Sequence, residues 1–415
     1  MIIQARWIIP GYGKTILEDA AILVRNGLIE KLADQKTLRA AKPEEPIVDY
    51  GHCTLVPGYI DCHTHIGCYD GVWDIDDYGE NGYRRGIFGY LEARQCFAFG
   101  VTTIRDAGCP DMLLESLRKM AANGLAKLPR IFHCNQAIAM TGGHCWKMSI
   151  VTQADGIEGL RKAIRKQIRS GADWIKIMTT HRIGSEVEYS QEELNFAVQE
   201  AHRLGKKCFI HAALQPGLEM AIQAGPDSIE HGTFLTEEQA IRMRDAGIYW
   251  APTLAATAYL VPILQKRIQE HAGESNAYLQ RQIKDCEFYA RNCIVRKERL
   301  MPIASTGVKV VAGTDFDTGY GPSAPVGMEL RLMAQYGMPP LMAIETSLNA
   351  AQMLGLQDVG LIQEGYQADI AVLGGNPLED YYAFEDIRAT YLGGDCVFEK
   401  NGGKDSRDTE REGKC

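Results

Sequence analysis

His63 and His65 stand two residues apart at the end of the run VPGYIDCHTH, which reads as a strand. Period-two geometry turns both imidazoles to one face, where two rings can grip one metal ion. Lys176 in DWIKIM, His211 in CFIHA, His231 in SIEHG and Asp315 in VVAGTD each stand at the end of another such run. Taken singly, His211 or His231 could be a core histidine, Lys176 a buried salt-bridge partner and Asp315 the cap of a following helix. Taken together, nitrogen and oxygen donors gathered at strand ends point to a centre for divalent metal.

The elements that must position these donors recur from residue 56 onward. Eight apolar runs, VPGYIDCHTH, VTTIRD, RIFHCN, WIKIMT, CFIHA, SIEHG, YWAPTL and VVAGTD, are candidate strands. Between them lie stretches such as GIEGLRKAIRKQIRSG and QEELNFAVQEAHRLG, with apolar spacing of three and four and a terminal Gly, which predict helices. Strand–helix alternation implies parallel βαβ units, and eight of them close a (β/α)8 TIM barrel whose active site lies at the C-terminal strand ends. We assign the α/β barrel to residues 56–359. Residues 1–55 and 360–400, with short alternating runs and Gly or Asn punctuation, predict a small β-sandwich module built from both chain ends. The polar stretch 401–415 reads as a disordered tail.

Composition narrows the class. The 415 residues are 46% hydrophobic and 23% charged, which suits a globular chain of two modules. Lys plus Arg total 44 against 53 Asp plus Glu, a net charge of −9, so neither nucleic acid nor an anionic membrane is an expected partner. No window approaches the ~20 apolar residues that span a bilayer, and the opening residues lack a basic segment followed by an apolar stretch. Twelve cysteines without CxxC pairs fit a reducing compartment, so the expectation is a cytoplasmic enzyme acting on a small molecule; a homo-oligomer is compatible with it. Cys62 and Cys145 have contexts that would permit reactivity but read as packing residues.

The segments VPGYIDCHTH, GADWIKI, HA, GPDSIEHG and AGTD together resemble the binuclear pattern of the amidohydrolase superfamily. NAAQMLGL and VGLIQEGYQADIAVLGGNPL look like that family's exit from the barrel, so the resemblance covers nearly the whole chain. It implies two divalent ions, most simply Zn2+. His63, His65 and Asp315 would hold the more buried ion and His211 with His231 the other. Lys176 would bridge both after CO2 converts its amine to a carbamate. The ions would generate hydroxide from water at neutral pH and polarise the scissile carbonyl. Asp315 would take the hydroxide's proton and pass it to the leaving nitrogen.

Substrate preference is read from the loops. Deaminase-type relatives often carry an acid three residues after the strand-five His; here that position is Leu214, which favours amide hydrolysis. AMTGGHCW resembles a TGGH element of prolidase-like and arginine-carboxypeptidase-like amidohydrolases, and imidazolonepropionases are related to the same set. It would place His144 on the scissile carbonyl or on a substrate carboxylate; the alternative is a solvated loop histidine. After Lys176 the chain reads MTTHRIGSEVEYS, shorter than the usual Gly-rich loop; His181 and Arg182 lie in it, and Arg182 could pair with a carboxylate. Tyr69, Trp73, Tyr78, Tyr83 and Tyr90 could wall the barrel mouth, with Tyr83 a substrate contact, or simply pack a loop. His52, His133, His202 and His271 read as structural. The expected function is hydrolysis of a dipeptide or N-acyl amino acid with a free carboxylate. The alternatives are a cyclic amide such as a lactam or imidazolone, a xenobiotic amide, a lactone or phosphotriester on the same metals, or a noncatalytic metal-binding scaffold.

Overall fold

The computed structural model describes residues 1–68, 82–180, 186–271, 277–315 and 326–400. The chain ends meet in one eight-stranded mixed sheet rather than in two distinct sheets. Strands Ile2–Ile8, Leu17–Arg25 and Leu28–Asp34 form an antiparallel meander. Its second turn is Asn26-Gly27, with φ of 50° and 81°, the left-handed pair that a two-residue hairpin needs. Strand Thr54–Pro57 joins this meander to Ile370–Leu373, pairing parallel with the first strand and antiparallel with the later one. Ile3, Ile8, Ile22, Leu55, Ile370 and Val372 pack its fully buried core.

Two residues beyond Pro57 a separate set of sheets begins. Strands Tyr59–Thr64, Val101–Asp106 and Arg130–His133 form a parallel three-stranded sheet. A six-stranded parallel sheet contains Trp174–Met178, Lys207–Ala212, Ser228–His231 and Tyr249–Ala251, with short strands Ala137–Ala139 and Val151–Gln153 at its edge. Seven of the eight expected runs are therefore strands. The eighth, around VVAGTD, is an extended segment with one bridge, Trp250 to Val310. It nevertheless stitches the two sheets together: Val311 N–H donates to Trp250 O (2.9 Å), and Cys62 N–H donates to Ala312 O (2.9 Å). It runs so close to strand Tyr59–Thr64 that a Cβ added at Gly313 would lie 2.9 Å from His63 Cβ, and Asp315 N–H donates to His63 O (2.8 Å) where the chain turns left-handed (φ 54°). On the opposite side Asp173 N–H donates to His133 O at 2.9 Å.

Helices return the chain between strands. Gln191–Arg203 and Glu237–Ala246 each open on a full capping box, Ser190 with Glu193 and Thr236 with Gln239, which satisfies otherwise orphaned N–H groups. After strand Tyr249–Ala251 the connection is longer than one βα unit requires. Two helices, Leu254–Glu270 and Ala277–Ala304, pack against one another before segment 308–315. No described helix is long and apolar enough to cross a membrane.

Candidate metal centre

Strand Tyr59–Thr64 and the turn after it present two donors, His63 and His65, fixed by a carboxylate clamp on each side. Asp61 Oδ1 accepts the N–H groups of His63 and Thr314 (both 3.1 Å), and its Oδ2 accepts Thr314 Oγ1 at 2.6 Å. Asp106 accepts Ile66 N–H (2.7 Å), Gly108 N–H (2.9 Å) and Thr64 Oγ1 (3.0 Å), which holds the turn just past His65. Both carboxylates are buried. The strand end and segment 308–315 are thereby locked in register.

Each ring is then oriented from behind. His63 Nδ1 lies 2.6 Å from Glu230 Oε2, and Glu230 Oε1 takes Arg105 Nη2 at 2.8 Å. Arg105, itself fully buried, also donates to Cys62 O (2.7 Å) and Ser228 Oγ (2.8 Å) and lies over Phe209 and Trp174. His65 Nδ1 is 2.9 Å from Gly108 O, and His231 Nδ1 is 2.7 Å from Thr253 Oγ1. With Nδ1 engaged, the Nε2 atoms of His63 and His65 face inward, each 3.3 Å from Asp315 Oδ1. This is the usual way proteins set the tautomer of a metal-binding histidine.

His63, His65 and Asp315 thus offer donor atoms all within 4.8 Å of one another. The other predicted donors line the same cavity. The His211 ring lies 4.5 Å from that of His231, and His63 lies 5.1 Å from His231. Two buried atoms here, Lys176 Nζ and His211 Nε2, have no hydrogen-bond partner among the described residues. Such atoms are costly unless something coordinates them, and the donor chemistry fits divalent cations. His231 (φ 67°) and Asp315 (φ 54°) both take left-handed backbone, strain that persists where surrounding structure over-determines a functional geometry.

Electrostatics favours the unprotonated form of three of the four candidate histidines; at His65 burial is outweighed by Asp315, which raises the imidazole. Burial, aided by Lys176, lowers His63 to about 4, and burial holds His211 and His231 well below the ordinary imidazole range. Burial lowers the Lys176 ammonium to about 8, against an opposing pull from Glu230. Burial alone would raise Asp315, but His63, His65 and His231 outweigh it and hold the carboxyl well below its usual range. The cavity therefore presents neutral imidazoles at His63, His211 and His231, a His65 ring held above its ordinary range by Asp315, an ionised carboxylate and a lysine moved towards its neutral form.

The loop residues divide. His144 lines the cavity with its ring stacked 4.5 Å from His211, and its N–H donates to Glu188 Oε1 at 2.6 Å. Tyr83 sits on helix Gly82–Gln95, 91% exposed, and is not among the residues lining the cavity. The helix turns that side chain to solvent, so the expected substrate contact is not brought to the site. His181, Arg182, Tyr69, Trp73 and Tyr78 lie outside the described residues. The sequence reading missed Glu230 and Arg105. The signal for them was present: acid and base embedded in the apolar runs SIEHG and VTTIRD, where charge survives only when paired. It also missed Asn292 and Arg296, which line the cavity from helix Ala277–Ala304.

Comparison with known proteins agrees with this architecture. The sequence profile of the Amidohydrolase family matches residues 54–397. The ochratoxinase of Aspergillus niger is 29% identical over 94% of this chain and 84% of its own. An imidazolonepropionase of Cereibacter sphaeroides is 22% identical over 87% of this chain and 89% of its own. The crystal structure of a Xaa-Pro dipeptidase with bound methionine in the active site superposes with a TM-score of 0.83 at 26% identity, covering 96% of this chain and 99% of that one. These likenesses imply a TIM-barrel-type fold of mixed α/β content, a metal-dependent family and small-molecule substrates. The chain belongs to the amidohydrolase family, hydrolytic enzymes that act on carbon–nitrogen bonds.

Proposed function

We propose that the chain hydrolyses the amide bond of a dipeptide or N-acyl amino acid with a free carboxylate, inside a closed (β/α)8 barrel. His63, His65 and Asp315 would hold one ion, and His211 with His231 a second. Lys176, as its carbamate, would serve both. The observation that carries this reading is a pair of buried atoms, Lys176 Nζ and His211 Nε2, that have no hydrogen-bond partner among the described residues and line one cavity with the His63–His65–Asp315 cluster. When bound, two divalent ions, most simply Zn2+, would lower the pKa of water and polarise the scissile carbonyl.

The chain's own residues supply the remainder. Asp315, ionised and poised between three histidines, accepts the proton of the attacking water and delivers it to the leaving nitrogen. Glu230 and Arg105 hold the His63 ring rather than touch substrate. His144, tethered through its backbone to buried Glu188, can donate to the carbonyl oxygen as charge develops there. Similarity to proteins described as a Xaa-Pro dipeptidase and as ochratoxinase supports a linear amide. Similarity to an imidazolonepropionase favours, as the second reading, a cyclic amide. Nine described cysteines, Cys68 and Cys145 not counted, are free thiols, which fits a cytoplasmic setting.

A library of dipeptides, N-acyl amino acids, lactams, lactones and phosphotriesters, assayed with metal-loaded and chelator-treated protein, tests this. Chelator-sensitive turnover of the linear amides is expected. Activity confined to cyclic amides or to phosphotriesters would overturn the substrate assignment. Intact mass under native conditions should show Lys176 heavier by one CO2, and a persistently unmodified lysine in active protein would overturn the bridging role.

A further inference from the structure

The helix Ala277–Ala304 turns a mixed face to the cavity. Phe288, Asn292 and Arg296 stand four residues apart, so they share one side of the helix, and all three line the cavity. Asn292 is 4% exposed, and its Oδ1 has no hydrogen-bond partner among the described residues. A half-turn of that amide exchanges oxygen for nitrogen, so the group can accept from a ligand or donate to it.

Arg296 is 7% exposed. Its Nε and Nη2 donate to Thr233 Oγ1 (3.1 and 2.9 Å), and its Nη1 donates to Thr253 O (2.6 Å) and Thr257 Oγ1 (3.3 Å). Every one of these partners is neutral. The buried acid Glu329, on helix Val326–Gln335, is occupied with the N–H groups of Leu254 and Ala255 (3.0 and 2.7 Å). A guanidinium held out of water without a hydrogen-bonded carboxylate is expensive. It becomes economical if the working complex brings the counter-ion. The position is suited to that, because Thr253 bonds both Arg296, through its carbonyl, and His231 Nδ1, through its hydroxyl.

We propose that Arg296, with Asn292 one turn before it, seats the carboxylate of the substrate beside the candidate metal centre. Tyr259, Leu260 and Phe288 line the same cavity, so the carboxylate is carried on an apolar body that lies against them. The substrate class is then an amide whose carboxylate stands close to the scissile bond and whose neighbouring substituent is bulky and apolar. This assignment rests on the amide-hydrolase reading of the site. It places carboxylate recognition on the helical hairpin rather than on the loop containing Arg182.

The test uses the full-length, metal-loaded chain and a matched pair, N-acetylphenylalanine and its carboxamide, with kcat and KM measured separately. The wild-type protein should favour the carboxylate by about tenfold or more in kcat/KM, as charge-assisted pairing with a buried guanidinium implies. Asn292→Asp keeps the side-chain shape but hands Arg296 an internal counter-ion, so the ratio should collapse towards one through KM. Arg296→Met should do the same, and Arg296→Lys should keep part of the preference. A wild-type protein indifferent to the carboxylate overturns the proposal. So do variants that depress both substrates by the same factor, since Arg296 would then only pin Thr233, Thr253 and Thr257. If neither compound is hydrolysed, the acyl group is the wrong one for turnover and the seat is read by binding alone. Titration calorimetry with N-acetylphenylalanine then decides the seat: binding lost in Asn292→Asp upholds it, and no binding to wild type overturns it.

Discussion

At the strand ends the candidate ligand rings are gripped from behind, His63 by Glu230, His65 by Gly108 O and His231 by Thr253. Across the cavity, the wall made by Leu254–Glu270 and Ala277–Ala304 contributes apolar side chains, the amide of Asn292, whose oxygen has no partner among the described residues, and the Arg296 cation, whose described hydrogen bonds all go to neutral groups. The floor satisfies its own polar groups except where ions would sit, whereas the wall leaves polar groups for a ligand to satisfy. Chemistry demands fixed tautomers and distances, so the floor is a closed network of buried bonds. Selectivity demands only shape and a few placed charges, and the wall is built outside the parallel strands, where it can change without disturbing that network.

The largest way to break this division is at Asp315. Asp315→Asn should lower kcat by about 10^2 to 10^4-fold, the usual loss for a positioned proton-transfer group. Circular dichroism and the melting temperature should stay near wild type. Retention of most of kcat would mean that the floor does not transfer protons as proposed.

Next in size is the support behind His63. Glu230→Gln should weaken metal binding by about 10 to 100-fold, read by competition with a chelator. It should also cost roughly 3–5 kcal/mol in unfolding, because Arg105 would remain buried without its counter-charge. An unchanged metal affinity would show that the floor tolerates a loosened ring.

A third measurement probes the hinge between the regions, where Glu329 accepts the first N–H groups of the hairpin. Burial raises its carboxyl from the ordinary 4.5 to about 8, partly offset by the N–H groups of Ala255 and Leu254. A raised folded-state value means that the group's contribution to stability is fully present below 4.5 and is lost as pH rises through 8. Glu329→Gln should remove that slope, on the order of a few kcal/mol across the window, as read by denaturant titrations between pH 5 and pH 9. Parallel slopes in the two proteins would rule out the titration.

The smallest expected effect separates wall from floor. Leu260→Ala, in a cluster with Leu264, Cys286 and Tyr289, should raise KM for substrates with bulky apolar groups several-fold. Metal content should not change. A matching loss of metal would show that wall and floor are one cooperative unit.

Much of the barrel was legible because strands buried on both faces leave continuous apolar runs, and seven of the eight runs read that way are strands. The eighth was placed correctly in the chain but is a bridged segment, bonded to Trp250 on one side and to Cys62 and His63 on the other without forming a full ladder. Polar donors ending such runs gave the six candidate ligands, since strand period and fold direction put run ends at one mouth. Tyr83 was misplaced because aromatic composition does not say which side of a helix faces inward. The mixed face of Ala277–Ala304 was not read, although Asn292 and Arg296 show the spacing of four.

The sequence by itself determined which residue types stand at the strand ends, and hence that the chain could hold divalent metal. Only the tertiary structure decided which nitrogen of His63, His65 and His231 is engaged from behind, through Glu230, Gly108 O and Thr253. It alone also brought Arg296, 65 positions beyond His231 in the sequence, to the same cavity. Local spacing reports what a strand or helix can present; which partner it meets depends on contacts between segments far apart in the chain, and no local pattern encodes those.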